Sequence, residues 1–374
     1  MTVFLIIIVV ALFAITLWQL SRIFQLSRST QSLDDSQIAS DKDNRMQGNL
    51  MLAFGIAFYI FMLYNFWAFG DRALPAASSE HGVDYDNLLL LTMAVIMFVQ
   101  VITQGLLHYF AFKYKGKKGN KALFFADNDK LEFVWTIIPV IVLAGLIIYG
   151  LFTWSDIMDI NEEDDPIVIE LYAKQFSWQA RYAGQDNVLG KANVRFIEGA
   201  NTIGVDESDP YAMDDVITAE IHLPVNRPVV FKMRSQDVLH SAYFPHFRAQ
   251  MNVVPGMVTQ FAFTPTVTTE EINETEYMRD KVARINDIRK ENSQALLAAG
   301  EEPLEEYEQF EYYLLCNKIC GVAHYNMQMK VVVETEAEFN EWMATQKEYS
   351  ETMQSATASR KSAVSGAEVA QVEN

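Results

Sequence analysis

The two cysteines of the chain lie in one short segment, together with a histidine and a methionine. The segment, residues 316–327, reads CNKICGVAHYNM and contains Cys316, Cys320, His324 and Met327. Thiolates, imidazoles and thioethers are soft ligands, which select copper or zinc over magnesium or calcium. Structural zinc sites use four strong Cys or His ligands, whereas a weak Met beside Cys and His is typical of copper. The segment therefore predicts a copper site.

The C-x-x-x-C spacing allows one loop to direct both sulfurs to the same point. A mononuclear blue-copper site needs only one Cys, whereas the two thiolates of Cys316 and Cys320 can bridge a pair of copper ions. A bridged pair shares one electron between its metals and changes little in geometry, which suits electron transfer rather than substrate chemistry. Each ion then needs an imidazole, and His324 supplies one.

The second imidazole must come from elsewhere in the chain. The other histidines are His81, His108, His222, His240 and His246. His240 is the best candidate, because it lies at the end of a predicted pair of strands, whereas His81 is in an outer loop and His108 is inside an apolar stretch.

Each candidate ligand also has a structural interpretation. Cys316 and Cys320 could form a disulfide outside the membrane, although so small a loop would leave the His and Met at fixed offsets unexplained. His240 alone would more often be a hydrogen-bonded structural residue, and Met327 alone would more often fill the core. The combination of residue types favours the metal site over these alternatives.

The elements that position these residues begin with an apolar first half of the chain. Four stretches are long enough to cross a bilayer, which takes about 20 residues, and none carries a charge in its middle. They are residues 3–20, 50–69, 88–112 and 133–154. The first has no basic residue before it and no nearby cleavage site, so we interpret it as a retained anchor rather than a signal peptide. In the third, Gln100, Gln104 and His108 share one helix face, which implies a partner helix.

The charges of the loops predict the orientation. The loop after the third stretch carries Lys113, Lys115, Lys117, Lys118, Lys121 and Lys130. By the positive-inside rule this loop is cytoplasmic, so both termini and everything after the fourth stretch lie outside. The formal net charge of −19 argues against nucleic-acid binding and favours cationic partners. The absence of C-x-x-C-H rules out an attached c-type haem.

From residue 167 onward, short apolar or alternating runs separated by turn signals predict a Greek-key sandwich or barrel. The predicted strands are 167–182, 217–222, 229–233, 260–263, 311–315 and 329–333. The predicted divisions are an anchor helix with a cytoplasmic loop (1–48), a second helix with an outer loop (49–86), a helical hairpin (87–160), a β domain (161–338) with a charged helical insertion (266–310), and a C-terminal helix and tail (339–374).

Three motifs, in the same order, resemble subunit II of the haem–copper cytochrome c oxidases. Residues 316–327 resemble the family's C-x-x-x-C-G-x-x-H-x-x-M loop, 237–241 (DVLHS) resemble D-V-x-H-S, and 132–139 (EFVWTIIP) resemble E-x-x-W-T-x-x-P. The resemblance covers residues 86–334. It implies a two-helix membrane hairpin carrying an external cupredoxin-like Greek-key sandwich, with the first two membrane helices as additions.

The resemblance also implies a dinuclear copper A centre. Its implied ligands are Cys316 and Cys320 as bridges, His240, His324, Met327 and the backbone carbonyl of Lys318. Phe176 and Trp178 stand where an electron enters in the family, and Glu132 stands at the mouth of a proton path. An ordinary interfacial acid is the alternative interpretation of Glu132.

As a bacterial subunit II, the chain is expected in the inner (plasma) membrane, with its copper domain on the periplasmic side. Its expected partners are subunit I, other oxidase subunits, and a c-type cytochrome or haem-bearing donor complex. Electrons would pass from the donor to the copper centre and then to haem in subunit I, where oxygen is reduced to water and protons are translocated. The oxygen chemistry belongs to subunit I.

The sequence departs from the family at three positions. Lys318 replaces a Glu that reaches a magnesium ion, and a Lys cannot ligate magnesium. Phe176 replaces the first Trp of Q-W-x-W, and Asn252 replaces the Asp of D-x-x-P-G. The resemblance therefore does not extend to the magnesium ligand or to the first Trp of the electron-entry motif.

Proteins of other classes share parts of this pattern. A quinol-oxidase subunit II has the same fold without copper and lacks the cysteines. A membrane-tethered copper carrier would need an exposed, exchangeable site, usually for one metal. A nitrous oxide reductase carries a similar loop on a large soluble domain without the hairpin. The paired cysteines and the order of the motifs favour the oxidase subunit.

Overall fold

The computed structural model describes residues 2–29, 40–160 and 165–355. The first half of the chain forms four long helices: α1 (Thr2–Ser29), α2 (Asp41–Phe69), α3 (Glu80–Lys113) and α4 (Asp129–Met158). All four are long and apolar enough to cross a membrane, α1 through its segment Ile8–Gln25. The four predicted membrane helices are therefore confirmed. The part of the predicted tail beyond residue 355 lies outside the described residues.

The contacts divide the described chain into two compact units. The first contains the residues up to Ala73 together with Met93–Thr136, and the second contains Leu74–Thr92 and the described residues from Ile137 onward. The first unit consists of α1, α2, the later part of α3 and the beginning of α4. The second unit consists of the beginning of α3, most of α4 and all of the β structure.

In the first unit, α2 packs closely against the polar face of α3. His108 is buried, and a Cβ atom added to Gly55 would lie only 2.8 Å from its ring, so α2 needs a glycine at this position. Small residues allow helices to approach closely in a membrane. Gln104 Nε2 lies 2.8 Å from His108 Nε2, and the Tyr59 hydroxyl donates to the Val101 carbonyl at 2.6 Å. The polar stripe of α3 thus has a partner helix, as predicted.

The second unit contains a sandwich of two five-stranded sheets. The strands are β1 (Ile167–Lys174), β2 (Ser177–Tyr182), β3 (Val216–Thr218), β4 (Ile221–Pro224), β5 (Val229–Ser235), β6 (His240–Phe244), β7 (Ala249–Val253), β8 (Thr259–Phe263), β9 (Tyr312–Cys316) and β10 (Gln328–Glu334). The sheet orders are β3-β2-β1-β5-β8 and β4-β10-β9-β6-β7. Pairs β1–β5 and β4–β10 are parallel, and the other pairs are antiparallel. The predicted sandwich is confirmed.

Side chains from both sheets form the core between them. Phe231 of one sheet packs against Phe244 of the other with ring centroids 5.1 Å apart, and Phe263 lies 5.4 Å from each. Burying a ring of this size stabilises the fold by about 1.5–3 kcal/mol. This core holds the two sheets together and fixes the strand ends that carry the candidate ligands.

A buried ionic network lies on the sheet that contains β1, β2 and β5. Arg181 donates from Nε to Glu170 at 2.8 Å and from Nη1 to Asp215 at 2.6 Å, and Arg234 also donates to Glu170. Burial raises the pKa of Asp215 to about 7, against the lowering effect of Arg181. Burial acts in the same direction on Glu170, but Arg181 and Arg234 hold the pKa of that carboxyl below its usual value.

The second unit also contains the shorter helices α5 (Thr269–Glu274), α6 (Glu276–Ala299) and α7 (Glu336–Thr345). Helix α6 lies in the charged insertion and is capped by Gly300, whose φ of +80° suits a glycine. The chain then returns along α6, where Tyr307 N–H donates to the Asn286 side chain at 2.7 Å and Leu304 N–H donates to Ser293 Oγ at 2.9 Å. These hydrogen bonds hold the segment after α6 against the helix.

Candidate metal centre

Strands β6 and β9 bring the distant histidine to the cysteine loop. His240 is the first residue of β6 and Cys316 is the last residue of β9, and the two strands pair with Ala242 opposite Cys316. Just beyond the pair, Asn317 N–H donates to the Ser241 carbonyl at 3.0 Å. Two residues separated widely in sequence therefore lie side by side because their strands are neighbours in one sheet.

The loop that carries the other candidate ligands connects β9 to β10. Cys316 N–H donates to the Met327 carbonyl at 3.0 Å, which closes the loop at its base. His324–Asn326 form a single 3-10 turn inside it. Gly321 has a φ of +141°, and a Cβ atom there would lie 2.8 Å from the Phe176 ring, so the loop needs a glycine to pass this ring.

The candidate side chains meet around the two sulfurs. Cys316 Sγ lies 3.8 Å from Cys320 Sγ and 3.8 Å from His240 Nδ1, and it is 3.2 Å from the Lys318 carbonyl oxygen. Cys320 Sγ lies 3.6 Å from His324 Nδ1 and 3.7 Å from Met327 Sδ. All six groups that the sequence analysis assigned to the centre are therefore brought together, one imidazole and one weaker donor beside each sulfur.

These separations suit a shared metal rather than direct bonding between the groups. Both cysteines are free thiols, so the disulfide alternative is not formed. Donor atoms that lie about 2.0–2.3 Å from one ion in tetrahedral geometry are about 3.3–3.8 Å apart. The ligand atoms of His240, Cys316 and Cys320 all lie within 4.8 Å of one another and are buried. The donor set and its geometry fit a soft metal such as copper.

Burial and the neighbouring sulfur affect the protonation of the loop. In the metal-free chain, burial and the nearby Cys316 raise the pKa of the Cys320 thiol to about 11. A metal bound by thiolates must displace these protons, because only the deprotonated sulfur is a ligand. Metal binding at this cluster should therefore release protons and weaken as the pH falls.

Two polar residues beside the cluster were not assigned by the sequence analysis. Asp237 accepts hydrogen bonds from Gln175 N–H and Val238 N–H, each at 2.7 Å, and its Oδ1 is 2.9 Å from His240 Nε2. Burial acts to raise the pKa of Asp237, but these bonds hold it below its usual value. The Gln175 side-chain amide donates to the Cys320 carbonyl. The D-V-x-H spacing was visible in the sequence, but only the fold connects it to Gln175.

The aromatic residues assigned to electron transfer occupy different environments. Trp178 is buried, with 4% of its surface exposed, and its ring centroid lies 6.0 Å from that of His240. Phe176 is only partly buried and lies against Gly321.

Glu132, the candidate for the mouth of a proton path, is exposed in the first turn of α4, within the first unit.

The loop between β9 and β10, here called the metal loop, exposes three large apolar side chains. Ile319, Val322 and Tyr325 alternate with the candidate ligands, and their exposed fractions are 87%, 91% and 87%. Exposed apolar surface of this kind typically marks a site of protein–protein contact. The loop therefore offers a contact surface directly beside the metal cluster.

These features define a membrane-anchored β-sandwich protein with a candidate copper site. The family described as "Cytochrome C oxidase subunit II, transmembrane domain" matches residues 64–152. An alternative cytochrome c oxidase subunit 2 of Bradyrhizobium diazoefficiens is 28% identical over 302 residues, which cover 80% of this chain and 91% of that protein. The cytochrome c oxidase subunit 2 of Cereibacter sphaeroides is 22% identical over 288 residues, covering 74% and 78% of the two chains.

A probable quinol oxidase subunit 2 of Staphylococcus epidermidis is also similar, with 24% identity over 217 residues, 58% of this chain and 49% of that protein. The match to the hairpin and the similarity across the β domain agree with the fold. The chain is therefore similar to cytochrome c oxidase subunit II proteins over most of its length.

Proposed function

We propose that this chain is the electron-transfer subunit of a cytochrome c oxidase. It accepts electrons from a c-type cytochrome or a haem-bearing donor and passes them to haem in subunit I, where oxygen is reduced to water and protons are translocated. The observation that carries this proposal is the convergence of two thiols, two imidazoles, a thioether and a carbonyl in one cluster.

Each residue of the cluster has a proposed role. Two copper ions would be held by Cys316 and Cys320 as shared ligands, by His240 and His324 with one ion each, and by Met327 and the Lys318 carbonyl as weaker ligands. A bridged copper pair bound here would supply one-electron transfer with little change in geometry. The side chain of Lys318 is exposed, so its replacement of the family's Glu leaves the carbonyl ligand in place.

Two properties of the chain support contact with other proteins: the exposed apolar residues of the metal loop and the acidic net charge. The apolar residues of the metal loop favour a close partner at the end of the sandwich that carries the centre. The acidic charge of the chain favours docking of a cationic donor, which should weaken as salt increases. Phe176 is the better of the two aromatic candidates for the place where the electron enters, because Trp178 is buried.

The proposed location is the bacterial inner membrane, with the copper domain on the periplasmic side. The lysine-rich loop between α3 and α4 is then cytoplasmic, and Glu132, at the beginning of α4, lies on that side. This position is compatible with the mouth of a proton path in subunit I. The exposure of Glu132 fits that role and also fits an ordinary interfacial acid.

The test is the metal content of the full-length chain purified in detergent and exposed to copper. We expect two copper ions per chain and a mixed-valence signal in electron paramagnetic resonance. Lys318→Ala is the matched control in the loop and should keep both ions, because only its carbonyl is needed. Zinc or no bound metal would contradict the proposal and would favour the role of the quinol oxidase relative.

A further inference from the structure

The two imidazoles of the cluster differ in their burial and in their hydrogen-bond partners. His240 is fully buried, and its Nε2 lies 2.9 Å from Asp237 Oδ1 while its Nδ1 points to Cys316. His324 is only partly buried. Its Nδ1 lies beside Cys320, and within the described part of the chain its Nε2 has no hydrogen-bond partner. One candidate ligand is therefore oriented by a carboxylate and the other is not.

The contact with Asp237 fixes the proton of His240. An ionised carboxylate only accepts hydrogen bonds, so Nε2 must carry the hydrogen and donate it. The lone pair of the neutral ring is then on Nδ1, the atom that faces the sulfurs. A carboxylate on the remote nitrogen is a common way to fix the tautomer and the orientation of a metal-binding histidine.

Asp237 also links the two sides of the cluster. Its second oxygen accepts the backbone N–H of Gln175 at 2.7 Å, and the side chain of Gln175 donates to the carbonyl of Cys320. Asp237 and Gln175 thus connect the strand end that carries His240 to the loop that carries Cys320. Phe176, the next residue, packs on Gly321 of that loop.

We infer that Asp237 is a positioning residue, which fixes the metal-binding tautomer of His240 and holds the cysteine loop at the correct distance through Gln175. This inference rests on the proposed function, because it concerns the proposed copper ligands. It predicts that the two histidines respond differently to the loss of one carboxylate.

The experiment uses the full-length chain in detergent, with Asp237→Ala and Asp237→Asn. Asp186→Asn is the control, because Asp186 also accepts a backbone N–H in a turn, from Val188 at 2.8 Å, without contacting the cluster. Copper affinity is measured by competition with a chelator. Nitrogen-15 histidine couplings are measured by electron–nuclear double resonance in the loaded chain, and histidine tautomers by nitrogen-15 NMR in the metal-free chain.

For Asp237→Ala we expect copper affinity to fall about 10–100-fold, one of the two histidine couplings to change, and the metal-free His240 to lose its single tautomer. Asp237→Asn keeps the volume but has only one accepting oxygen, so it should show a smaller change of the same kind. If the Ala variant does not fold, the Asn variant alone tests the inference. Asp186→Asn should behave as the wild type.

Unchanged affinity, couplings and tautomer in both Asp237 variants would overturn the inference. An equal change in both histidine couplings, with the single tautomer of His240 retained in the metal-free chain, would also overturn it, because it would indicate a general disturbance of the loop and no effect of Asp237 on His240. Failure of the wild-type chain to bind two copper ions would instead overturn the proposed function. In that case the tautomer of His240 in the metal-free chain still tests the contact with Asp237.

Discussion

Two buried polar clusters lie in the same sandwich and differ in how their groups are paired. In the ionic network, opposite charges are in direct contact: Arg181 meets Glu170 at 2.8 Å and Asp215 at 2.6 Å. In the metal cluster, Cys316 and Cys320 stand 3.8 Å apart, with similar separations to the imidazoles. The ionic network combines hydrogen-bond donors from arginine with carboxylate acceptors. The metal cluster consists mainly of sulfur, nitrogen and oxygen atoms that can each offer an electron pair to a metal.

The difference separates a structural cluster from a binding site. A buried charge needs a partner, and the network supplies each partner from the chain itself. The sulfur and imidazole groups of the metal cluster make only long contacts with one another, at 3.6–3.8 Å, and these separations correspond to two bonds through a shared ion. The metal cluster therefore has the geometry of a candidate metal site, whereas the charges of the ionic network are paired within the chain.

The largest expected effect comes from removing the two cysteine thiols of the metal cluster. Under the proposed function, replacing Cys316 and Cys320 together by Ala should abolish binding of both copper ions and all electron transfer through the chain. The metal-free stability should change by only about 1 kcal/mol per site, because small side chains are lost. Copper titration followed by thermal unfolding measures both quantities. We expect copper to raise the melting temperature of the wild type and to leave that of the variant unchanged.

A copper-dependent rise in the melting temperature of the double variant would contradict this prediction, because the ion would then bind elsewhere. The His108→Gln variant provides a control. His108 lies between α2 and α3 and contacts Gln104 and Gly55, so its removal should leave copper binding intact.

The next largest effect is expected in the ionic network. Arg181→Met would leave Glu170 and Asp215 buried with fewer partners, which should lower the free energy of unfolding by about 3–5 kcal/mol. The matched control is Arg227→Met. Arg227 pairs with the exposed Asp165 and Glu336 at 3.3 and 3.4 Å, so its loss should cost about 0–1 kcal/mol.

Denaturant unfolding of the metal-free chain measures both variants. If they cost the same, the network does not stabilise the sandwich in the way that its burial suggests. Copper binding should survive in Arg181→Met wherever the chain is folded, because none of the candidate ligands contacts the network. Loss of copper binding from a folded Arg181→Met chain would show that the two clusters are coupled.

The candidate ligands of the metal cluster could largely be named from the sequence, because their residue types and spacing are visible there. Cys316, Cys320, His324 and Met327 lie in one loop, so no long-range pairing had to be inferred. His240 could be named as a candidate by its position near strand ends, and the family resemblance supported it. The role of Asp237 could not be seen, because its link to Gln175 depends on the β1–β2 turn lying beside this loop.

The ionic network was not predictable, because isolated Arg and Glu residues in strands usually face solvent. Only the pairing of β1 with β2 and β5 brings Glu170 between Arg181 and Arg234. Two strands were missed for a related reason. The β6 sequence HSAYF begins with two polar residues that prove to be buried, and β7 alternates weakly, so neither has the apolar pattern of a strand.

The predicted strand over residues 217–222 was also inaccurate. The structure has two strands there, β3 and β4, which belong to different sheets. The chain crosses between the sheets at residues 219–220, where Thr218 Oγ1 donates to the Glu220 carbonyl at 2.6 Å. A continuous run of strand-forming residues conceals such a crossing, because strand propensity does not indicate which sheet a residue joins.

The smallest expected effect is a pH dependence within the ionic network. Burial raises the pKa of Asp215 to about 7 from an ordinary value of 3.8, so the folded chain holds a proton that the unfolded chain releases between these values. The contribution of Asp215 to stability should therefore fall as the pH increases from about 4 to 7. The pKa of Glu170 is lowered, so its opposite effect belongs to more acidic conditions.

Asp215→Asn isolates this contribution, because the amide cannot ionise and can still accept from Arg181. We expect the free energy of unfolding of the wild type to fall relative to that of Asp215→Asn as the pH increases through this window, and the difference to become constant above it. Denaturant unfolding at closely spaced pH values measures the two curves. Parallel curves would mean that Asp215 is ionised throughout, and that Arg181 outweighs the cost of burial for both of its carboxylates.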